Sequence, residues 1–373
     1  MTGRDVGRAL AAKRVTIKVG SALLVERGKV RREWLDSLAG DIADLRHRGH
    51  KVIVVTSGAI ALGRPALGLN KRALRLEEKQ AAAAAGQIVL ARAWQESLAR
   101  HEIATAQLLI TPDDTEGRRR YLNARATMET LLRLGAVPVV NENDTVATSE
   151  IRFGDNDRLG ARVAVMASSE TLVLLSDVDG LYTDNPSTNP DAVHVPVVGN
   201  ITADIEAMAG ESLSGVGSGG MVSKIAAAKI ATRAGTTVLL AKGAEMNPVE
   251  KLAAGGRCTL FRAQVTPRRA RKDWIGASLA VTGSLTIDDG AAGALARGSS
   301  LLPAGVVAVD GRFERGDAVF IVTRDGRQLA KGLSAYDAED ARRIAGCKTG
   351  DIEALLGWRG RDEMIHRDDL VLL

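Results

Sequence analysis

Uninterrupted apolar runs that alternate with helix-length segments restrict this chain to a narrow set of folds. Lys51-Val-Ile-Val-Val-Thr56 and Thr171-Leu-Val-Leu-Leu175 show no polar alternation. A strand apolar on both sides has to be covered on both faces, which is the habit of parallel sheets. Strands are expected over 13–19, 51–56, 104–110, 136–140, 171–175 and 237–241, and helices over 32–48, 76–100, 121–134, 157–167 and 221–234. Such alternation predicts a parallel α/β sheet with helices on both faces. Ligands of these sheets gather beyond the carboxyl ends of the strands. The polar motifs of this chain all follow strands or open helices.

The pattern changes after Lys272. Short alternating runs take over at Gly283–Asp288, Gly305–Asp310 and Ala318–Thr323, and Asp-Gly turn signals recur at Asp289, Asp310 and Asp325. This predicts a small, mostly-β barrel. The expected division is a catalytic domain over 10–262, a linker over 263–282 and a β domain over 283–373. Arg268-Arg-Ala-Arg-Lys272 reads as a solvated linker.

Charge decides what the β domain is not built for. From Ile275 onward there are 12 Lys/Arg and 15 Asp/Glu, a net of −3, against +5 for the whole chain. Nucleic-acid binders carry a basic footprint, so RNA binding as the main role is disfavoured. No apolar run approaches the ~20 residues that span a bilayer. The two cysteines, Cys258 and Cys347, lack metal spacing, and the five histidines form no cluster. A cytoplasmic, reduced protein is the simplest inference.

The chemistry concentrates in a few segments. Gly215-Val-Gly-Ser-Gly-Gly-Met-Val-Ser-Lys224 leads into an Ala-rich helix. Glycines let backbone N–H groups crowd an anion, and the helix start and Lys224 add positive charge. The segment is not a Walker A loop, because Gly-Lys-Ser/Thr is absent. The alternative is a surface loop. Lys18 ends the first strand, before Gly20-Ser21. It is either a snorkelling surface residue or a charge aimed into a ligand crevice. Two lysines from distant segments can neutralise a transferring phosphoryl group.

Phe153-Gly-Asp-Asn-Asp157 sets two carboxylates and an amide at a helix start. Capping explains one of them. Asp157 is suited to orient both lysines, and Asn156 offers donors and an acceptor to an amino-acid ligand. Asn141-Glu-Asn-Asp144 is more polar than a turn requires, and Asp144 can pair with an ammonium group. Ser57, in Thr56-Ser57-Gly58, lies in a strand-to-helix turn fit for a carboxylate. The Gly-x-Ser-x-Gly spacing of a hydrolase elbow is missing. His366-Arg-Asp-Asp matches a protein-kinase catalytic loop by chance, since its Asn is missing.

Taken in order, Ile17-Lys-Val-Gly-Ser21, Val54-Val-Thr-Ser-Gly-Ala-Ile60, Val140-Asn-Glu-Asn-Asp144, Gly154-Asp-Asn-Asp157, Leu175-Ser-Asp177 with Gly180-Leu-Tyr182, and Gly217-Ser-Gly-Gly-Met-Val-Ser-Lys224 resemble the amino acid kinase family. Within it they resemble the members that phosphorylate the glutamate side chain, and the tail resembles a PUA domain. The resemblance implies an αβα sandwich and transfer of the ATP γ-phosphate to L-glutamate, giving γ-glutamyl phosphate, the first intermediate of proline biosynthesis. It implies Mg2+ with ATP, proline as feedback inhibitor, a homo-oligomer and hand-over to glutamyl phosphate reductase. Lys18, Lys224 and Asp157 would be catalytic. Ser57, Asp144 and Asn156 would hold glutamate. Lys18, Ser176, Asp177, Ser218, Gly219, Gly220, Met221, Val222, Ser223 and Lys224 would contact ATP. Ser218 and Ser223 stand where Thr is common, and each keeps a hydroxyl. A kinase for another amino acid or a nucleotide is the alternative.

Overall fold

The computed structural model describes residues 3–69, 73–146, 156–210, 220–278 and 280–373, and the chain divides into two compact units, Met1–Pro267 and Arg268–Leu373. The first unit is built on eight strands of one sheet: β1 (Arg14–Val19), β2 (Lys51–Val55), β3 (Thr105–Ile110), β4 (Val137–Glu142), β5 (Thr171–Ser176), β8 (Val197–Val198), β9 (Thr237–Lys242) and β10 (Cys258–Phe261). A separate small hairpin, β6 (Leu181–Tyr182) with β7 (His194–Val195), intervenes. The sheet order is β8-β10-β9-β5-β1-β2-β4-β3, and every pairing is parallel except β9 with β10.

The central strands are apolar on both sides because both sides are covered. Residues 52–55 of β2 and all six residues of β5 are buried. On one face lie α1 (Arg32–His47) and α3 (Leu76–Ala99), whose Trp34, Leu38, Leu90 and Trp94 share a core with Ile17, Val54 and Val173. Facing the other side, α4 (Arg118–Arg133) packs Met128 and Leu132 with Ile53 and Val140, while α5 (Asn156–Met166) and α6 (Met221–Arg233) share a core with Leu172, Leu174, Val238 and Leu240 through Ala161, Ala164, Ala227 and Ala228. Burying such aliphatic surface contributes roughly 25 cal/mol per Å². Aromatics are only 3% of the chain, so small and branched side chains carry the packing.

Two details fix the backbone near the strand ends. Gly58 has φ +107°, and a Cβ there would sit 2.8 Å from Val25 Cγ2, so only glycine fits the turn after β2. The helix that follows, α2 (Ala59–Ala66), runs backbone to backbone with α3. A Cβ on Gly63 would lie 1.8 Å from the Ala82 carbonyl oxygen, and one on Gly86 1.8 Å from that of Ala59. The glycine pair therefore lets α3 close directly onto the turn.

The second unit carries a five-stranded sheet ordered β12-β11-β13-β14-β15, from β11 (Val281–Ile287), β12 (Val306–Gly311), β13 (Ala318–Thr323), β14 (Gln328–Leu333) and β15 (Leu370–Leu372). Only β11 with β13 is parallel. Leu285, Ile287, Val319, Ile321, Tyr336 and Ile365 fill its core. Residues 268–272, read from sequence as a solvated linker, are instead helical, in α7 (Pro267–Ser278). Arg271 Nε donates to Asp369 Oδ1 at 2.8 Å, and both side chains are nearly buried. The arginine run hides an amphipathic face: Ile275, one turn beyond Arg271, is fully buried.

Candidate functional site

Four adjacent strands deliver the candidate residues to one end of the sheet. Lys18 lies at the end of β1, Ser57 follows β2, Asp144 follows β4, and Ser176-Asp177 closes β5. In the order β5-β1-β2-β4 these carboxyl ends are neighbours, and ligands of open α/β sheets bind beyond such ends.

Lys18, Asp157 and Lys224 meet in a buried triad. Asp157, in the first turn of α5, is 2% exposed, Lys18 7% and Lys224 6%. Lys18 Nζ pairs with Asp157 Oδ1, and Lys224 Nζ lies 3.2 Å from Asp157 Oδ2. Each carboxylate oxygen thus holds one ammonium. Burial pushes the Asp157 carboxyl up, but the two lysines outweigh it and hold its pKa below the usual carboxylate value. The sum of the three charges is +1. Two ammonium groups held in place by one carboxylate are suited to receiving an anion.

Lys224 owes its place to the helix start. Helix α6 begins after Gly220, which gives it no side-chain cap, and Met221, Val222, Ser223 and Lys224 form the first turn. An uncapped helix start offers N–H groups and partial positive charge to an anion. Ser218 and Gly219, expected beside it, lie outside the described residues, as does Asp155. On β5, Ser176 Oγ donates to Asp177 Oδ1 at 2.8 Å, with Ser176 buried and Asp177 exposed.

Ser57 and Asn156 are joined in an amide network. Asn156 Nδ2 donates to the Thr56 carbonyl at 2.7 Å and lies 2.8 Å from Ser57 Oγ and 3.1 Å from Asn141 Oδ1. Asn141 Nδ2 donates to Gln87 Oε1 at 2.8 Å. Trp94 Nε1 donates to Thr56 Oγ1 at 3.0 Å. Asn156 is 5% exposed, yet among the described residues its Oδ1 has no hydrogen-bond partner. Sequence reasoning missed Gln87 and Trp94, which reach in from α3, and the place of Asn141. Strand β4 extends through Asn141 and Glu142, both buried, so half of the polar cluster expected beyond residue 140 lies in the strand itself. The signal was a lone glutamine after Ala81-Ala-Ala-Ala-Ala-Gly86.

Asp144 stands two residues beyond the end of β4. Its burial, with Glu142's charge nearby, pushes its pKa up to about 7. No described residue is recorded in an ion pair or hydrogen bond with its side chain, and it is not joined to the triad or the amide network.

Among the described residues no group of three or more His, Cys, Asp or Glu side chains is placed to hold an ion, and Asp157 is already occupied by two ammonium groups. These side chains do not build a magnesium cage.

The amino acid kinase family model matches residues 13–242, and the PUA domain model residues 283–356. The chain belongs to the amino acid kinase family. It is 59% identical over 364 residues to the glutamate 5-kinase of Paramagnetospirillum magneticum, covering 97% of this chain and 98% of that protein. Similarity to glutamate 5-kinase 1 of Mesorhizobium japonicum is 58% over 361 residues, covering 96% of each. Among solved structures, a UMP kinase from Ureaplasma parvum is 15% identical with a TM-score of 0.48, covering 67% of this chain and 99% of that one. No helix among the described residues is long and apolar enough to cross a membrane.

Proposed function

We propose that this chain transfers the γ-phosphoryl group of ATP to the side-chain carboxylate of L-glutamate, forming γ-glutamyl phosphate and ADP in the first step of proline biosynthesis. The observation that carries the reading is the buried Lys18–Asp157–Lys224 triad at the carboxyl ends of the sheet; the near-full-length similarity to glutamate 5-kinases supports the choice of acceptor.

The chemistry follows from the charges. A carboxylate acceptor is already deprotonated at neutral pH, so no general base is needed. The obstacle is repulsion between two anions. Carboxylate oxygen and γ-phosphorus form a bond while the bridging oxygen leaves with ADP, and charge spreads over the phosphoryl oxygens. Lys18 and Lys224 neutralise that charge from two sides, and Asp157 holds them in place beforehand. The first turn of α6 and Ser176-Asp177 hold the nucleotide. Ser57 and Asn156 hold the glutamate α-carboxylate and ammonium region, with Asp144 facing the ammonium. Mg2+, which favours phosphate oxygens and water over all-protein cages, would be carried by the ATP phosphates and would add charge neutralisation to that of Lys18 and Lys224.

Proline shares the α-amino-carboxylate unit with glutamate. It is expected to inhibit competitively, with glutamate raising its apparent inhibition constant; inhibition that saturating glutamate leaves unchanged contradicts a shared site. Handing the labile acyl phosphate to a reductase, and assembly into a homo-oligomer, belong to the same reading. The catalytic domain is proposed to end near Pro267, ahead of the PUA domain. A chain cut there is expected to fold and phosphorylate glutamate, and a folded, inactive truncation counts against this division.

Measuring ADP release with glutamate, aspartate, acetylglutamate, carbamate and UMP tests the function. Glutamate is expected to be preferred; preference for any other acceptor overturns the assignment.

A further inference from the structure

We propose that Gln87 is a positioning residue that gives the site its requirement for the substrate's α-ammonium group. This inference rests on the glutamate reading above. The buried Asn156 Oδ1 has no hydrogen-bond partner among the described residues. The other end of that amide is fixed from three directions. The Thr56 carbonyl is an obligate acceptor, so the atom 2.7 Å from it is nitrogen. Ser57 Oγ and Asn141 Oδ1 then share the remaining N–H and set the plane of the amide.

Asn141 is 2% exposed, and its own amide hydrogen goes to Gln87 Oε1. Without that acceptor, a buried donor is left unmade, which costs more than the bond itself contributes. Asn141 then turns toward another partner. The Asn156 amide keeps only Thr56 and Ser57, and its plane is free to rotate. With the plane held, Oδ1 presents a fixed acceptor that a carboxylate or a bare methylene cannot satisfy and an ammonium can. Gln87 does this from α3, where the Gly63–Gly86 contact brings that helix directly onto the turn after β2.

The test compares L-glutamate with glutarate, which lacks the ammonium. In the full-length enzyme, glutarate is measured as a competitive inhibitor against glutamate. The ratio of its inhibition constant to the glutamate KM reports ammonium recognition. In Gln87→Met, this ratio is expected to fall about tenfold, with the KM for ATP little changed and the fold retained. Gln87→Glu keeps an acceptor oxygen for Asn141 and is expected to keep the ratio within about twofold. An unchanged ratio in folded Gln87→Met, or an equal loss in Gln87→Glu, overturns the proposal while leaving the glutamate reading intact. A wild-type enzyme that does not turn over glutamate overturns that reading, and this inference with it.

Discussion

Lys18→Ala and Lys224→Ala are each expected to lower kcat by ~10²–10³-fold, the usual cost of deleting one preorganised group at a developing charge. Folding is expected to survive both. In either variant Asp157 keeps one of its two ammonium partners, because each lysine holds a different carboxylate oxygen. Asp157→Asn is a different case. It leaves two buried lysines without their shared counter-ion, and breaking a buried pair this way costs about 3–5 kcal/mol. Steady-state kinetics with thermal melts separate the two classes. Near-normal turnover by either folded lysine variant contradicts the two-lysine mechanism.

Asp144→Asn is expected to raise the KM for glutamate roughly 10–100-fold, in line with losing a hydrogen bond to a charged group, with the KM for ATP nearly unchanged. The raised pKa adds a second signature. In the ligand-free protein Asp144 titrates at about 7, and only its ionised form pairs with an ammonium. The carboxylate form is lost as pH falls through 7, so kcat/KM for glutamate is expected to drop with it, up to tenfold per pH unit below that point. In Asp144→Asn the acidic limb disappears. Equal losses for glutamate and ATP, or an unchanged acidic limb, mark Asp144 as structural instead.

What was legible in the sequence was whatever chain-local physics determines. The apolar runs at β2 and β5 announced strands covered on both faces, and their polar ends announced the edge of the sheet where the candidate residues gather. Lys18, Asp157 and Lys224 were each visible as a charge out of place. Their convergence was expected from the charges and the resemblance, but its geometry, one lysine on each Asp157 oxygen, was not visible, because it depends on β1, α5 and α6 meeting across 139 and 67 residues of chain. Gln87 and Trp94 were missed for a related reason. An Ala-rich helix shows its packing face, but not that Gly86 lets it approach the turn after β2 closely enough for a glutamine to join a hydrogen-bond network. The run Arg268–Lys272 misled because charge density outweighed periodicity. Arg271 and Ile275 share one buried helical face, while Arg268 and Arg269 lie outside it.

The most direct test of the account is to trap the product. The enzyme is incubated with ATP, L-glutamate and hydroxylamine, and the hydroxamate is identified by mass spectrometry. A γ-glutamyl hydroxamate is expected to form in step with ADP and to be lost together with it in Lys18→Ala. ADP formed without hydroxamate, or a hydroxamate on the α-carboxyl group, contradicts phosphoryl transfer to the glutamate side chain.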